Sequence, residues 1–242
     1  MKRSKLLALL PLALSLSLVS CEERLEVQNV RQLSVTPAET TEAKAQSYTW
    51  PPPSDEQVSN VLQENYFVIM DDSGSMSGRR INEARQALLN LAQTLPAEHN
   101  LGVMFLNDPD VVSLSSGDRR EFVQRVKTVN AYGGTPLLNT IVEAYRKITE
   151  QASSQSGYGS YHLIVVTDGN STDGSPLQLV RSIVANTSIQ VHVIGFHVND
   201  HILNDPAFID YQTASNSTEL AKAFESVTAE TDTFSDPTEF TQ

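Results

Sequence analysis

The chain has 242 residues, 40% of them hydrophobic and 19% charged, enough for one sizeable buried core plus further segments. Its formal net charge is −12, with no basic block and no basic run interleaved with aromatics, which excludes the electrostatic footprint of a nucleic-acid binder. A single cysteine excludes any intramolecular disulfide.

Residues 1–20 read as a targeting segment. Lys2, Arg3 and Lys5 make a basic start, and Leu6 to Val19 is an apolar run too short and too near the start for an ordinary membrane span. Leu18-Val19-Ser20-Cys21 follows and resembles a bacterial lipobox, with leucine three before the cysteine and serine one before it. That resemblance implies loss of the signal peptide and acylation of Cys21. The protein would then sit in a bacterial cell envelope, lipid-anchored to a membrane, on the periplasmic side if the cell is Gram-negative. Residues 21–60 read as the lipidated cysteine and a flexible tether, dominated by Gln, Glu, Ser, Thr and Pro. Within it, Leu25 to Val35 shows the alternation of an edge strand. Trp50, ahead of Pro51-Pro52-Pro53, is expected to pack its large ring against the domain that follows.

Residues 61–230 carry the domain. Tyr66 to Met70 is an unbroken apolar run, the signature of a strand buried on both faces, and it breaks abruptly into Asp71-Asp72-Ser73-Gly74-Ser75-Met76. A helix is predicted over Arg79 to Leu95, with Ile81, Ala84, Leu88, Leu91 and Leu95 on one face and Pro96 closing it. Leu101 to Leu106 reads as a second buried strand, Asn107 to Asp110 as a turn, and Val111 to Leu114 as a short returning strand. Asp108 and Asp110, beside a proline, read as turn formers and not as ligands. Asp118 to Val129 is a helix, and Gly133-Gly134-Thr135-Pro136 leads into another, whose buried face is Leu138, Ile141, Tyr145 and Ile148. His162 to Val166 is a strand ending at Asp168-Gly169, Pro176 to Asn186 a helix, and Ile189 to Val198 a further strand. Phe208 to Thr213 reads as a last strand, or as a short helix leading into one, and Glu219 to Glu230 as a helix before the polar tail 231–242.

Strands alternating with helices predict the α/β class, a doubly wound, mostly parallel sheet with helices on both faces. In such a sheet ligands sit outside the carboxyl ends of the strands, where Asp71 and Asp168 would both fall. Asp71-x-Ser73-x-Ser75 offers a carboxylate and two hydroxyls from one tight loop, hard oxygens at a spacing that suits a magnesium-like cation.

This loop resembles the metal-ion-dependent adhesion site of the von Willebrand factor type A family. The further pieces of that pattern are present in order, Gly133-Gly134-Thr135-Pro136-Leu137 and Val165-Val166-Thr167-Asp168-Gly169. The resemblance covers roughly residues 65 to 230 and implies a Rossmann-like fold. It implies a metal site of Asp71, Ser73, Ser75, Thr135 and Asp168 holding Mg²⁺ or Mn²⁺. It also implies a protein partner whose exposed Glu or Asp completes the metal shell. Asp72 departs from many relatives, which have a neutral residue there. An extra acid beside the site would weaken an acidic ligand unless its side chain points away.

Enzymatic readings fit poorly. A dehalogenase-type phosphatase needs a second aspartate where Ser73 stands. A hydrolase elbow needs Gly-x-Ser-x-Gly, but Gly74-Ser75-Met76-Ser77-Gly78 has methionine at the nucleophile. No Gly-x-x-x-x-Gly-Lys phosphate loop is present. The chain is therefore read as a non-enzyme. His192, His197 and His201 offer an alternative zinc set. A second functional reading is a non-catalytic scaffold subunit of an envelope complex, using helix faces independently of metal.

Overall fold

Seven residues, Glu64–Met70, form the central strand β1, and six of them are buried. Neighbours cover it on both edges, so a continuous apolar run can lie there without alternation. The computed structural model describes residues 50, 63–108, 110–155 and 159–229. The signal segment, Cys21, the tether other than Trp50, and the tail 231–242 lie outside the described residues.

In chain order, β1 is followed by a single 3₁₀ turn, Gly74–Met76, and then by α1 (Arg79–Thr94), β2 (Asn100–Phe105) and β3 (Val112–Ser115). Next come α2 (Arg120–Thr128), α3 (Leu137–Ser154), β4 (Ser160–Thr167) and α4 (Leu177–Asn186). β5 (Ile189–Phe196), β6 (Asp210–Ala214) and α5 (Ser217–Ala229) complete the described elements. Each predicted helix and strand of the domain is present, with ends shifted by a few residues. Residues 210–214 resolve the open alternative for the last strand in favour of an extended segment.

The sheet order is β3-β2-β1-β4-β5-β6, and every pairing is parallel except β2 with β3. The parallel pairings follow from the helical crossovers. The antiparallel one follows from the short turn after Phe105, which leaves no room for a crossover. Successive β1 side chains point to opposite faces. Tyr66, Val68 and Met70 join a core with Ile81 and Leu88 of α1, Phe122 and Val126 of α2, and Leu220 and Phe224 of α5. Phe67 and Ile69 join a second core with Ile141 and Ile148 of α3 and Val180 and Ile183 of α4. Two apolar layers thus clamp the sheet, the arrangement the alternating pattern predicts.

Trp50 packs as expected, with its ring edge-on to Tyr161 at 4.9 Å between centroids. β5 stops at Phe196, two residues earlier than predicted, because His197 turns into the left-handed region at φ 59. Its N–H then bonds to the Ala214 carbonyl at 2.8 Å. Gly102, in the middle of β2, is there because of closeness. A Cβ at that position would stand 2.8 Å from the Phe67 ring and 2.9 Å from the Val112 carbonyl. Gly102→Ala is therefore expected to lower stability by about 1–3 kcal/mol, the usual cost of overpacking a dense core. A drop in the urea midpoint at unchanged slope would show it.

Candidate metal-binding crevice

The strand order reverses between β1 and β4, and the crevice opens there, at their carboxyl ends. The two strands pair in register from Glu64 opposite Ser160 to Met70 opposite Val166. β1 ends at Met70 and β4 one residue further along, at Thr167, so Asp71 and Asp168 each follow directly on a strand end. The Asp71 N–H bonds to the Val166 carbonyl at 2.9 Å, which extends the ladder one step into the site.

Asp71 is fully buried. Its Oδ1 accepts the Ser73 backbone N–H at 2.8 Å and its Oδ2 accepts the Thr167 hydroxyl at 2.7 Å. The first bond is an Asx-type turn that curls the loop back toward its own carboxylate. Ser73 and Ser75 hydroxyls then lie 3.0 Å apart, and the Ser75 hydroxyl donates to Asp168 Oδ1 at 2.7 Å. Four of the five residues singled out from the sequence therefore form one connected set of oxygens.

Thr135, the fifth, is brought in from the loop before α3 and is nearly buried. Backbone bonds fix its loop. The Gly74 N–H bonds to the Gly133 carbonyl at 3.1 Å, and the Thr172 N–H to the Thr135 carbonyl at 2.8 Å. All three loops are thus laced together through main-chain groups. Asp173 adds a tie that the sequence reading missed. Its carboxylate accepts the N–H groups of Leu138 and Asn139 at 3.0 and 2.9 Å, capping the start of α3 from the loop after β4. A sequence signal existed, an acid three residues before Pro176, but its partner lies 35 residues away.

Asp72 points away from Asp71. Its Oδ1 accepts the backbone and side-chain N–H groups of Asn107, at 2.8 and 3.1 Å, across the β2 side of the crevice. Oδ2 is buried and has no hydrogen-bond partner among the described residues. Burial pushes the Asp71 carboxyl above the ordinary aspartate range, against the hydrogen bonds from Ser73 and Thr167. Burial also raises Asp72, helped by the nearby Asp71 charge and opposed by Asn107. Asp168 instead meets a cation, Arg80 of α1, whose Nη1 lies 2.7 Å from Oδ2.

The other residues weighed in the sequence lie elsewhere. Asp108 pairs with Arg125 and accepts the Asp110 N–H at 3.1 Å, the turn role expected of it. The three histidines separate. His192 contacts His162 and Asp210, His197 contacts Glu83, and His201 contacts the Gly169 carbonyl. Among the described residues no group of three or more His, Cys, Asp or Glu side chains is placed to hold a metal ion. The Asp71–Ser73–Ser75–Asp168 set instead combines two carboxylates with two hydroxyls.

A family model for the von Willebrand factor type A domain matches residues 66–234, well over half of the chain. The chain belongs to that family. Among curated proteins it is 24% identical over 121 residues to inter alpha-trypsin inhibitor heavy chain 4 of Mus musculus, covering 47% of this chain and 13% of that protein. It is 23% identical over 149 residues to the uncharacterized protein sll0103 of Synechocystis, covering 59% of this chain and 34% of that one. The chain thus spans only a minor part of these relatives. Among solved structures, the conserved hypothetical protein BatB of Bacteroides thetaiotaomicron superposes with a TM-score of 0.54 at 18% identity, covering 72% of this chain and 98% of that one. Proximal thread matrix protein 1 of the mussel byssus, with a zinc-occupied MIDAS motif, has a TM-score of 0.54 at 14% identity, covering 71% and 48%. These likenesses establish the Rossmann-like von Willebrand A fold and agree with the sheet order above.

The raised Asp72 carboxyl yields a pH dependence. A carboxyl whose folded pKa lies above its unfolded value destabilises the fold once ionised, and that cost vanishes below the unfolded value. Asp72→Asn, which keeps an acceptor for Asn107, is expected to raise the urea midpoint at pH 7. The gain should shrink as pH falls through the raised pKa toward the ordinary aspartate range. Urea titrations of both proteins at pH 7 and pH 4 test this.

Proposed function

We propose that this domain binds a divalent cation, Mg²⁺ or Mn²⁺, through Asp71, Ser73, Ser75, Thr135 and Asp168, and through that cation an acidic side chain of a partner protein. The observation that carries the reading is the connected set of Asp71, Ser73, Ser75 and Asp168, drawn from two loops and closed by the 2.7 Å contact of Ser75 with Asp168, to which the Thr135 loop is tied by the bond from the Gly74 N–H to the Gly133 carbonyl. Carboxylate and hydroxyl oxygens suit a hard cation, and a set with only two acids leaves it electrophilic. The zinc-occupied motif of the mussel protein supports a divalent metal in a domain of this fold. When bound, the cation supplies a Lewis-acidic position for an outside carboxylate. The chain's own residues hold the loops. Asp71 fixes the turn through Ser73 and Thr167, and the Gly133–Gly74 contact fixes the Thr135 loop.

The function is read as non-catalytic binding. Neither a nucleophile elbow nor a phosphate loop occurs in the sequence, and the crevice hydroxyls are engaged with each other and with the Asp168 carboxylate. Calorimetric titration of Mn²⁺ and Mg²⁺ into the full chain tests the site. Saturable binding of one ion is expected in the wild type, with loss of about tenfold or more in affinity for Asp71→Ala and Thr135→Ala. Unchanged affinity in both variants would remove these residues from the site.

We also propose that the domain is held at a bacterial envelope membrane by acylation of Cys21. Acyl chains anchor a protein without a membrane-spanning helix, and among the described residues no helix is long and apolar enough to cross a membrane. Cys21→Ser is expected to abolish incorporation of radiolabelled palmitate and to move the protein from the membrane to the soluble fraction.

A further inference from the structure

Arg80 stands at the mouth of the crevice, and helix stability does not explain it. It is the second residue of α1, whose first turn contains no acid. A basic residue at a helix N-terminus opposes the helix dipole. Its neighbour Arg79 is answered within the helix by Glu83 at 2.7 Å, but Arg80 reaches 88 residues along the chain to Asp168. Asp168 is then held at both oxygens, Oδ1 by the Ser75 hydroxyl and Oδ2 by Arg80 Nη1, each at 2.7 Å. The same nitrogen lies 3.4 Å from the Ser75 carbonyl. Its Nε and Nη2 have no partner among the described residues, and 39% of the side chain is exposed. A guanidinium is planar, permanently charged, and suited to carboxylates.

The charges at the crevice give this placement a consequence. Asp71, Asp72 and Asp168 carry three negative charges, and Arg80 compensates one of them. His201, against the Gly169 carbonyl, is pushed by burial toward its neutral form and adds none. Two negative charges remain, matched by one divalent cation. Without Arg80 a loaded crevice would stay net negative and repel an incoming carboxylate, in a chain already strongly acidic.

We propose that Arg80 is the specificity-determining residue of the crevice, lowering its affinity for divalent cation and raising the affinity of the loaded site for an acidic side chain. This rests on the metal-site reading above. The free edge of the guanidinium is available to the partner's carboxylate beside the cation. The two effects have opposite signs, which a role in holding α1 alone would not produce.

The test uses the full chain as wild type, Arg80→Gln and Arg80→Lys. Free Mn²⁺ is followed by its electron paramagnetic resonance signal. Water-proton relaxation of the Mn²⁺-loaded protein then reports binding of the peptide acetyl-Gly-Glu-Gly-amide, with acetyl-Gly-Gln-Gly-amide as the uncharged control. Arg80→Gln is expected to bind Mn²⁺ about tenfold more tightly and the Glu peptide about tenfold more weakly, the scale of one unit charge acting over a few ångströms at a partly solvated site. Arg80→Lys, which keeps the charge, is expected to stay close to the wild type for Mn²⁺. Mn²⁺ affinities that do not differ between wild type and Arg80→Gln, or losses of both affinities together, would overturn the inference and leave the metal site standing. Failure of Mn²⁺ to bind any of the three proteins would overturn the site and the inference with it.

Discussion

The parallel pairing of β1 with β4 is the constraint on which the rest depends. These strands are separated by nearly a hundred residues, yet their register fixes where both chains leave the sheet. Because β2 lies on one side of β1 and β4 on the other, the connections diverge to opposite faces and leave a crevice between them. Slippage by one residue would exchange the β1 side chains between the two cores and carry Asp71 away from Thr167. The two apolar cores resist it. Phe67 and Ile69 are committed to one, and Tyr66, Val68 and Met70 to the other.

Placing three carboxylates at one end of a packed sheet is unfavourable, and each is handled differently. Asp71 receives two short hydrogen bonds, Asp72 turns to Asn107, and Asp168 is matched with Arg80. Burial still raises the first two, because two or three hydrogen bonds do not replace full hydration. That electrostatic cost falls at the carboxyl ends of the strands, where the proposed cation would relieve it.

The opposite end of the sheet has its own polar row, of which the two histidines are buried. Glu64, His162, His192 and Asp210 span four adjacent strands, with the His162 ring stacked on Tyr66 at 4.8 Å and the two histidine rings 3.2 Å apart at their nitrogens. Burial works against the Glu64 carboxylate, but His162, whose Nε2 lies 3.5 Å away, and Ser160 outweigh it and hold its pKa below the usual glutamate value. This row accounts for the histidine that the sequence places on a strand. It leaves His197 and His201 to loops, where each finds a different acceptor.

Local pattern determined much of this protein. The apolar run into Asp71, the three-and-four spacing of α1, and the glycines and proline around Thr135 each depend on neighbours within a few residues, so they are legible in the chain. The order in which the site's three loops occur is legible for the same reason. Alternation of strand and helix also determines the class, since parallel strands require crossovers. Tertiary structure alone decided the strand order, the side to which Asp72 turns, the cap that Asp173 places on α3, and the pairing of Arg80 with Asp168. The last three join groups 34 or more residues apart, through contacts that exist only once the sheet has brought distant loops to one edge. A side chain's type can be read in isolation, but its partner is set by where the backbone returns.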